Sequence, residues 1–263
     1  MQSLKRLQCN VVLHYHNKGV AHNSKKWYNR LFYSRFFQNV NVILLSDLLY
    51  SDIAAFVPRE KVAICPNGIP DIDKPILQVQ QDKVQILFLS NLIRSKGIMT
   101  LLDALELLNK DEICCIIAGA PGDVSEVQLQ SEILKRGLQD VVTYIGRVNA
   151  EQKKSLYAKT NIFVHPTEND CFPLVLLEAM RCGIPCVATS EGAISDIIEN
   201  GETGWIIEKR NPKGLAEKVA WLIDHPQQML QMGKNGRARF IQLFTSDVFE
   251  QNIVKILGNL QWD

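Results

Sequence analysis

The chain has 263 residues, 46% hydrophobic and 22% charged, the balance of a globular protein of one or two domains. Its formal net charge of +1 gives no reason to expect nucleic acid as a partner, and no uninterrupted apolar run approaches the ~18 residues of a membrane-spanning helix. Seven cysteines, an odd number without a CxxC pair, read as small core hydrophobes in a reducing compartment.

The opening MQSLKRLQCNVVLHYH places basic residues before an apolar piece, but His14 and His16 break that piece too early for a signal peptide. A cytoplasmic protein is expected, with peripheral contact to the inner membrane face as an open question. CNVVLHYH (9–16) predicts a strand, SKKWYNRLFYSRFFQN (24–39) a helix and VNVILLS (40–46) a second strand. DLLYSDIAAF (47–56) predicts a helix, and KVAICPNGIP (61–70) a strand running into a turn. Three strands and two helices make about half of an α/β domain. The helix at 24–39 interleaves Lys25, Lys26, Arg30 and Arg35 with six aromatics. It can lie on an anionic membrane surface or pack its rings inside the domain.

Polar, proline-bearing DIDKPILQVQQDK (71–83) is the expected linker. Beyond it strands alternate with helices. VQILFLS (84–90) is followed by the helix 97–110, with Leu101, Leu105 and Leu108 on one face, and ICCIIAGA (113–120) by the helix 123–137. VVTYIG (141–146) precedes the helix 150–160, and IFVHPT (162–167) precedes a helix opened by Pro173. IPCVAT (184–189), AISDIIEN (193–200), GWIIE (204–208) and the helix 212–224 continue the pattern. Near-continuous apolar strands between amphipathic helices predict a parallel sheet covered on both faces, with ligands off the carboxyl ends of the strands. Ser90, Gly119, Gly146 and Thr167 fall at that edge.

No GxGxxG and no GxxxxGK[ST] is present. SNLIRSKG (90–97) instead puts Arg94 and Lys96 in the first strand–helix turn of the second half, where they are either phosphate ligands or solvated surface charges. NDCFPLVLLEAM (169–180) carries two carboxylates around an apolar run, Asp170 ahead of the helix and Glu178 one turn inside it. Pro173 suits the first helical position, leaving the N–H groups of Leu174 and Val175 for an anion. Glu178 could accept from paired ribose hydroxyls, and Asp170 could face the part of a ligand beyond the phosphates. On this reading each carboxylate is satisfied by a ligand, not by the fold. The structural alternative is that Asp170 caps the turn and Glu178 pairs with Arg181 or Lys153.

DCFPLVLLEAM followed by RCGIPCVATSEGAISDIIENGETGWIIE resembles the nucleotide-sugar signature of glycosyltransferase family 4, the retaining enzymes of the GT-B fold. The family's E-x7-E pattern reads here as Asp170-x7-Glu178. FLSNLIRSKGIMTLLDAL resembles the first strand–turn–helix of the same domain, NVILLSDLLYSDIAAFVPREKVAICPNGIP the end of the N-terminal domain, and FTSDVFEQNIVKIL the helix that crosses back to it. The likeness covers nearly the whole chain.

It implies a partial N-terminal, acceptor-side Rossmann-like domain (1–70), a linker (71–83), a complete nucleotide-sugar-binding domain (84–240) and a returning C-terminal helix (241–263). It further implies that Glu178 binds the donor ribose and Asp170 the transferred sugar. Main chain at Cys171, Phe172, Pro173 and Leu174 would surround sugar and diphosphate. Lys96 would neutralise the leaving diphosphate, a task given to a metal elsewhere, so neither metal nor cofactor is expected. The loops at Gly119 and at Arg147–Val148 would hold the base, and His16 would lie near the reacting carbon. The implied partners are a nucleotide-diphosphate sugar and a saccharide or lipid-linked acceptor, in cell-surface polysaccharide or glycoconjugate synthesis.

Three features depart from the family pattern. Asn91 stands where an Arg is frequent, so Arg94 would supply that charge. Asp170 is a methylene shorter than Glu. The glycine-rich opening strand–turn has no counterpart, which implies a fragment, or a short member completed by a partner chain. The rival expectation is a truncated, inactive nucleotide-sugar-binding module or subunit.

Overall fold

The computed structural model describes residues 11–72 and 82–260. The chain divides into two compact units, residues up to Pro70 together with those from Leu243 onward, and residues Asp71–Gln242.

In the first unit, β1 (Val12–Tyr15), β2 (Asn41–Leu44) and β3 (Val62–Ile64) form a parallel sheet in the order β1-β2-β3. Between β1 and β2 run a short helix α1 (Val20–Asn23) and α2 (Trp27–Phe36). The expected helix at 47–56 is a 3-10 turn over Asp47–Asp52, which Ser46 caps by accepting from the Leu48 N–H. Val20, Phe37, Val40, Val42, Leu44 and Ile53 are the buried centre of this unit's core. Buried Asp52 fixes the entry to α1, accepting from the N–H groups of Gly19, Val20 and Ala21 and from the Tyr15 hydroxyl. The chain re-enters this unit through the Ile69–Thr245 bridge, and a helix over Ser246–Asn259 follows.

The second unit is a six-stranded parallel sheet. Its strands are β4 (Val84–Leu89), β5 (Ile113–Ala118), β6 (Val142–Tyr144), β7 (Ile162–His165), β8 (Cys186–Thr189) and β9 (Gly204–Ile207). They lie in the order β6-β5-β4-β7-β8-β9. The connecting helices are α3 (Ile98–Leu105), α4 (Glu126–Lys135), α5 (Ala150–Lys159), α6 (Leu174–Arg181), α7 (Ile194–Ile197) and α8 (Pro212–Asp224). Ser125 with Gln128, and Asn149 with Gln152, form capping boxes that set the starts of α4 and α5. The sheet is apolar on both faces, with Ile86, Leu87, Phe88, Phe163, Val164 and Val187 fully enclosed.

The helix expected to reach residue 110 stops at Leu105. There the Leu107 and Leu108 N–H groups turn to the carbonyls three residues back, although Leu108 still packs on the core. No element is expected between Asp224 and the returning helix at 241–263, yet α9 (Pro226–Leu243) is an 18-residue helix. Gly233 and Gly236 argue against a helix on propensity, but a Cβ at Gly233 would overlap the Gly183 carbonyl. Close packing selects glycine there. The final helix, Ser246–Asn259, is α10. Most of the expected linker, 73–81, lies outside the described residues. Asp71 just before it is ion-paired to Arg237 of α9.

Candidate functional site

The strand order of the second unit reverses between β4 and β7, the switch point at whose carboxyl side open α/β sheets bind ligands. The loop after β4 (90–97) and the loop after β7 (166–173) meet there. Ser95 carbonyl oxygen accepts from the Glu168 N–H (2.7 Å) and the Thr167 hydroxyl (3.2 Å). Gly97 has φ +84°, and a Cβ on it would overlap the Pro166 carbonyl, so only glycine lets the two loops approach this closely.

This approach sets Lys96 against Asp170. Lys96 Nζ lies 2.6 Å from Asp170 Oδ2 and donates to the Asn169 carbonyl at 3.1 Å. His165, the last residue of β7 and 2% exposed, places Nε2 3.3 Å from the same Oδ2. The Cys171 N–H donates to Oδ1 at 3.0 Å. Burial raises the Asp170 pKa, but the hydrogen bonds and charges of His165 and Lys96 outweigh it and hold the carboxyl below its ordinary value. The loop is braced from behind by the Ala193 N–H donating to the Cys171 carbonyl.

Pro173 is the cap of α6, not its first turn as expected; Leu174 is the first helical residue. Among the described residues the Leu174 and Val175 N–H groups have no acceptor, the condition for an anion site at the positive end of the helix. Phe172 and Pro173 are buried beneath it, whereas Leu174 is exposed.

Glu178 is one turn further along α6. Lys153 Nζ lies 2.6 Å from its Oε1, and the Tyr157 hydroxyl donates to Oε2 at 2.8 Å. Burial, with the Glu178 charge beside it, pushes the Tyr157 phenol well above its usual value, so it is a donor at every physiological pH. A cavity of about 240 Å³ opens over this cluster, bounded by Ile72, Lys154, Arg181 and Cys182 among others.

The expectation that both carboxylates are satisfied by a ligand instead of by the fold is therefore corrected. Asp170 and Glu178 each have a cationic partner and a second donor from the protein, Lys153 for Glu178 as in the structural alternative. A buried carboxylate costs several kcal/mol unless paired, and these are paired. The ammonium groups nevertheless sit on flexible stems, able to turn to a stronger anion.

The remaining expected residues divide. Asn91 Oδ1 accepts from the Ala120 N–H, tying the loop after β4 to the loop after β5. Gly119 donates to the Gly146 carbonyl and accepts from the Tyr144 hydroxyl, so the loops after β5 and β6 are joined too. Arg147 is exposed and Val148 half-buried in the second of these. Arg94 is exposed, its N–H donating to Asp123. His16 belongs to the first unit, exposed just past β1, its ring 4.1 Å from that of His14.

His165 and Tyr157 are site residues that the sequence reading did not single out. Their signals were a histidine ending a strand five residues ahead of Asp170, and a tyrosine one helical turn after Lys153. Among the described residues no group of three His, Cys, Asp or Glu could hold a metal ion, and no helix is long and apolar enough to cross a membrane.

The family model for glycosyl transferases group 1 matches residues 71–239. The chain belongs to this family. The D-rhamnosyltransferase WbpZ of Pseudomonas aeruginosa is 30% identical over 227 residues, covering 81% of this chain and 58% of that protein. The amylovoran biosynthesis glycosyltransferase AmsK of Erwinia amylovora is 25% identical over 99% of this chain and 66% of its own length. Anabaena HepE, solved in complex with UDP, superposes with a TM-score of 0.88 at 22% identity, over 98% of this chain and 75% of HepE. The fold is thus the Rossmann-like α/β type of the GT-B glycosyltransferases. This group 1 chain spans 55% and 58% of the length of two of its curated relatives.

Proposed function

We propose that this chain binds a nucleoside-diphosphate sugar in its second unit and transfers the sugar, with retention, to an acceptor hydroxyl in cell-surface polysaccharide or glycoconjugate synthesis. The observation that carries the reading is the Lys96–Asp170 pair at the switch point, next to the open N-terminus of α6, with Glu178 one turn beyond. An incoming diphosphate would draw the Lys96 ammonium from Asp170 and take the Leu174 and Val175 N–H groups. The ribose would displace Lys153 from Glu178. Asp170, still held by His165, would accept from sugar hydroxyls.

Retention by a glycosidase-like double displacement needs two carboxyl groups about 5–5.5 Å apart working as nucleophile and acid. Here Glu178 is committed to the ribose, so front-face attack is the reading we favour, the departing phosphate taking the acceptor's proton. Lys96 and the helix end stabilise the charge that develops on that phosphate. No metal is needed for this electrostatic role.

The rival is a nucleotide-sugar-binding module without turnover. Calorimetric titration with UDP, GDP and ADP tests the donor site. One nucleotide should bind, and Glu178→Ala should weaken it by ~10- to 100-fold, the size of a lost charged hydrogen-bond pair. Silence with all three nucleotides in a folded sample would refute the reading; binding without sugar release or transfer would leave the module.

A further inference from the structure

The function above leaves α2 without a task. Its inward side serves the fold: Tyr33 and Phe36 are half-buried, and the Tyr33 ring stands 5.7 Å from Phe56. Its outer side carries Trp27, 78% exposed, Tyr28, Leu31 and Phe32, 61% exposed. No residue of the helix is buried. At about 100° per residue these four cover an arc of ~140°, centred on Arg35. The rings interlock with one another, Trp27 against Tyr28 at 6.0 Å and Phe32 against Phe36 at 5.8 Å, so the patch is a surface already in place.

Its charge is one-sided. Lys25, Lys26, Arg30 and Arg35 are all exposed around the rings. The first 46 residues contain seven Lys and Arg and no Asp or Glu; the other 22 basic residues share the remaining 217 positions with all 28 acidic ones. A near-neutral chain has therefore gathered its positive charge at one end. Lys25, Lys26 and Arg30 flank this exposed aromatic and aliphatic face, and Arg35 lies within it on a long stem. This matches an anionic lipid headgroup layer, where rings enter the interface and ammonium and guanidinium groups reach out to phosphate.

We propose that the outer face of α2 seats this protein on an anionic lipid bilayer. A second copy fits worse, because a symmetric contact would set Arg35 and its neighbours against themselves with no acid to pair them. Single-stranded nucleic acid fits worse as well, since it takes a basic groove that tracks the backbone and this is a convex helix side with an aliphatic Leu31 among its rings. The proposal does not rest on the donor-site reading, for no residue of that site is involved.

The test is co-sedimentation of the full chain with phosphatidylcholine vesicles, with and without phosphatidylglycerol. Binding should be stronger by at least ~10-fold on the anionic vesicles and should blue-shift tryptophan emission, a shift lost in Trp27→Phe. Lys25→Glu/Lys26→Glu and, separately, Trp27→Ser/Phe32→Ser should each lose at least ~10-fold of it, with urea midpoints unchanged because all four positions are exposed. Two independent pairs keep the test decisive should one variant fold poorly. Equal binding to both vesicle types, absence of binding, or binding that survives in a folded variant would overturn the proposal. So would a dimer that the Phe32 variant dissolves, or an oligonucleotide that displaces the protein from vesicles.

Discussion

Asp170 is held by groups from three places, Lys96 after β4, His165 at the end of β7, and the Cys171 backbone. Its depressed pKa has a consequence for stability. The unfolded chain takes up this proton near the ordinary 3.8, whereas the folded chain resists it. The stabilisation is therefore complete above about pH 4 and is lost as pH falls through the lower folded value. Asp170→Asn should cost roughly 1–3 kcal/mol at neutral pH, by leaving Lys96 and His165 without their anion. Its melting temperature should then fall less steeply than the wild type's between pH 4 and pH 3. Asp71 and Glu132 also titrate low, but they do so in both proteins and drop out of the difference. Parallel curves across that range would show that the carboxyl is not held as described. Asp170 and Glu178 were legible in the sequence because two carboxylates in an apolar run demand a reason. Their protein partners were less so: Lys153 and Tyr157 stand 25 and 21 residues from Glu178, and only the packing of α5 on α6 brings them there.

At the scale of elements, the site depends on how closely two loops approach. Gly97 ends the 3-10 turn Arg94–Lys96 in the left-handed region, with the Pro166 carbonyl where a Cβ would go. Gly97→Ala should lower stability by ~1–3 kcal/mol and weaken nucleotide binding with it, because any relief of the clash moves Lys96 away from Asp170. Gly258 in α10 is the control. A Cβ there meets nothing within 4 Å, so Gly258→Ala should be neutral or stabilising by up to ~1 kcal/mol. Urea denaturation and calorimetry of both variants decide the matter; equal effects would remove the loop-approach argument. Strand and helix types were legible from periodicity, since β4, β5 and β7 are apolar at nearly every position and α3 is apolar on one face. Element ends were not, because local hydrogen bonds such as the tightening at Leu107 decide them. Nor was α9, where packing against Gly183 overrides propensity.

For the whole molecule, alternation of strand and helix predicts a parallel sheet but leaves its strand order open, and the order is what puts β4 beside β7 and creates the site. Every residue assigned to the donor except His16, whose expected place is at the reacting carbon, lies between Asn91 and Glu178, inside the second unit. Donor binding should accordingly survive damage to the other core. Ile53 is fully enclosed in the first unit, and Ile53→Ala should cost that unit ~2–5 kcal/mol through lost burial and the cavity left behind. A nucleotide at ~100 times its Kd should still stabilise the second unit by about 2.7 kcal/mol, the same in variant and wild type. For a unit of this size that is a rise of about 5–10 °C in melting temperature. Calorimetric melts with and without nucleotide, beside a direct Kd, read both quantities. A Kd unchanged within about twofold would place the whole donor site in the second unit. A loss of affinity in Ile53→Ala would mean that the first unit supplies part of the grip, and would move the search for missing donor contacts to His16 and the carboxyl end of β1.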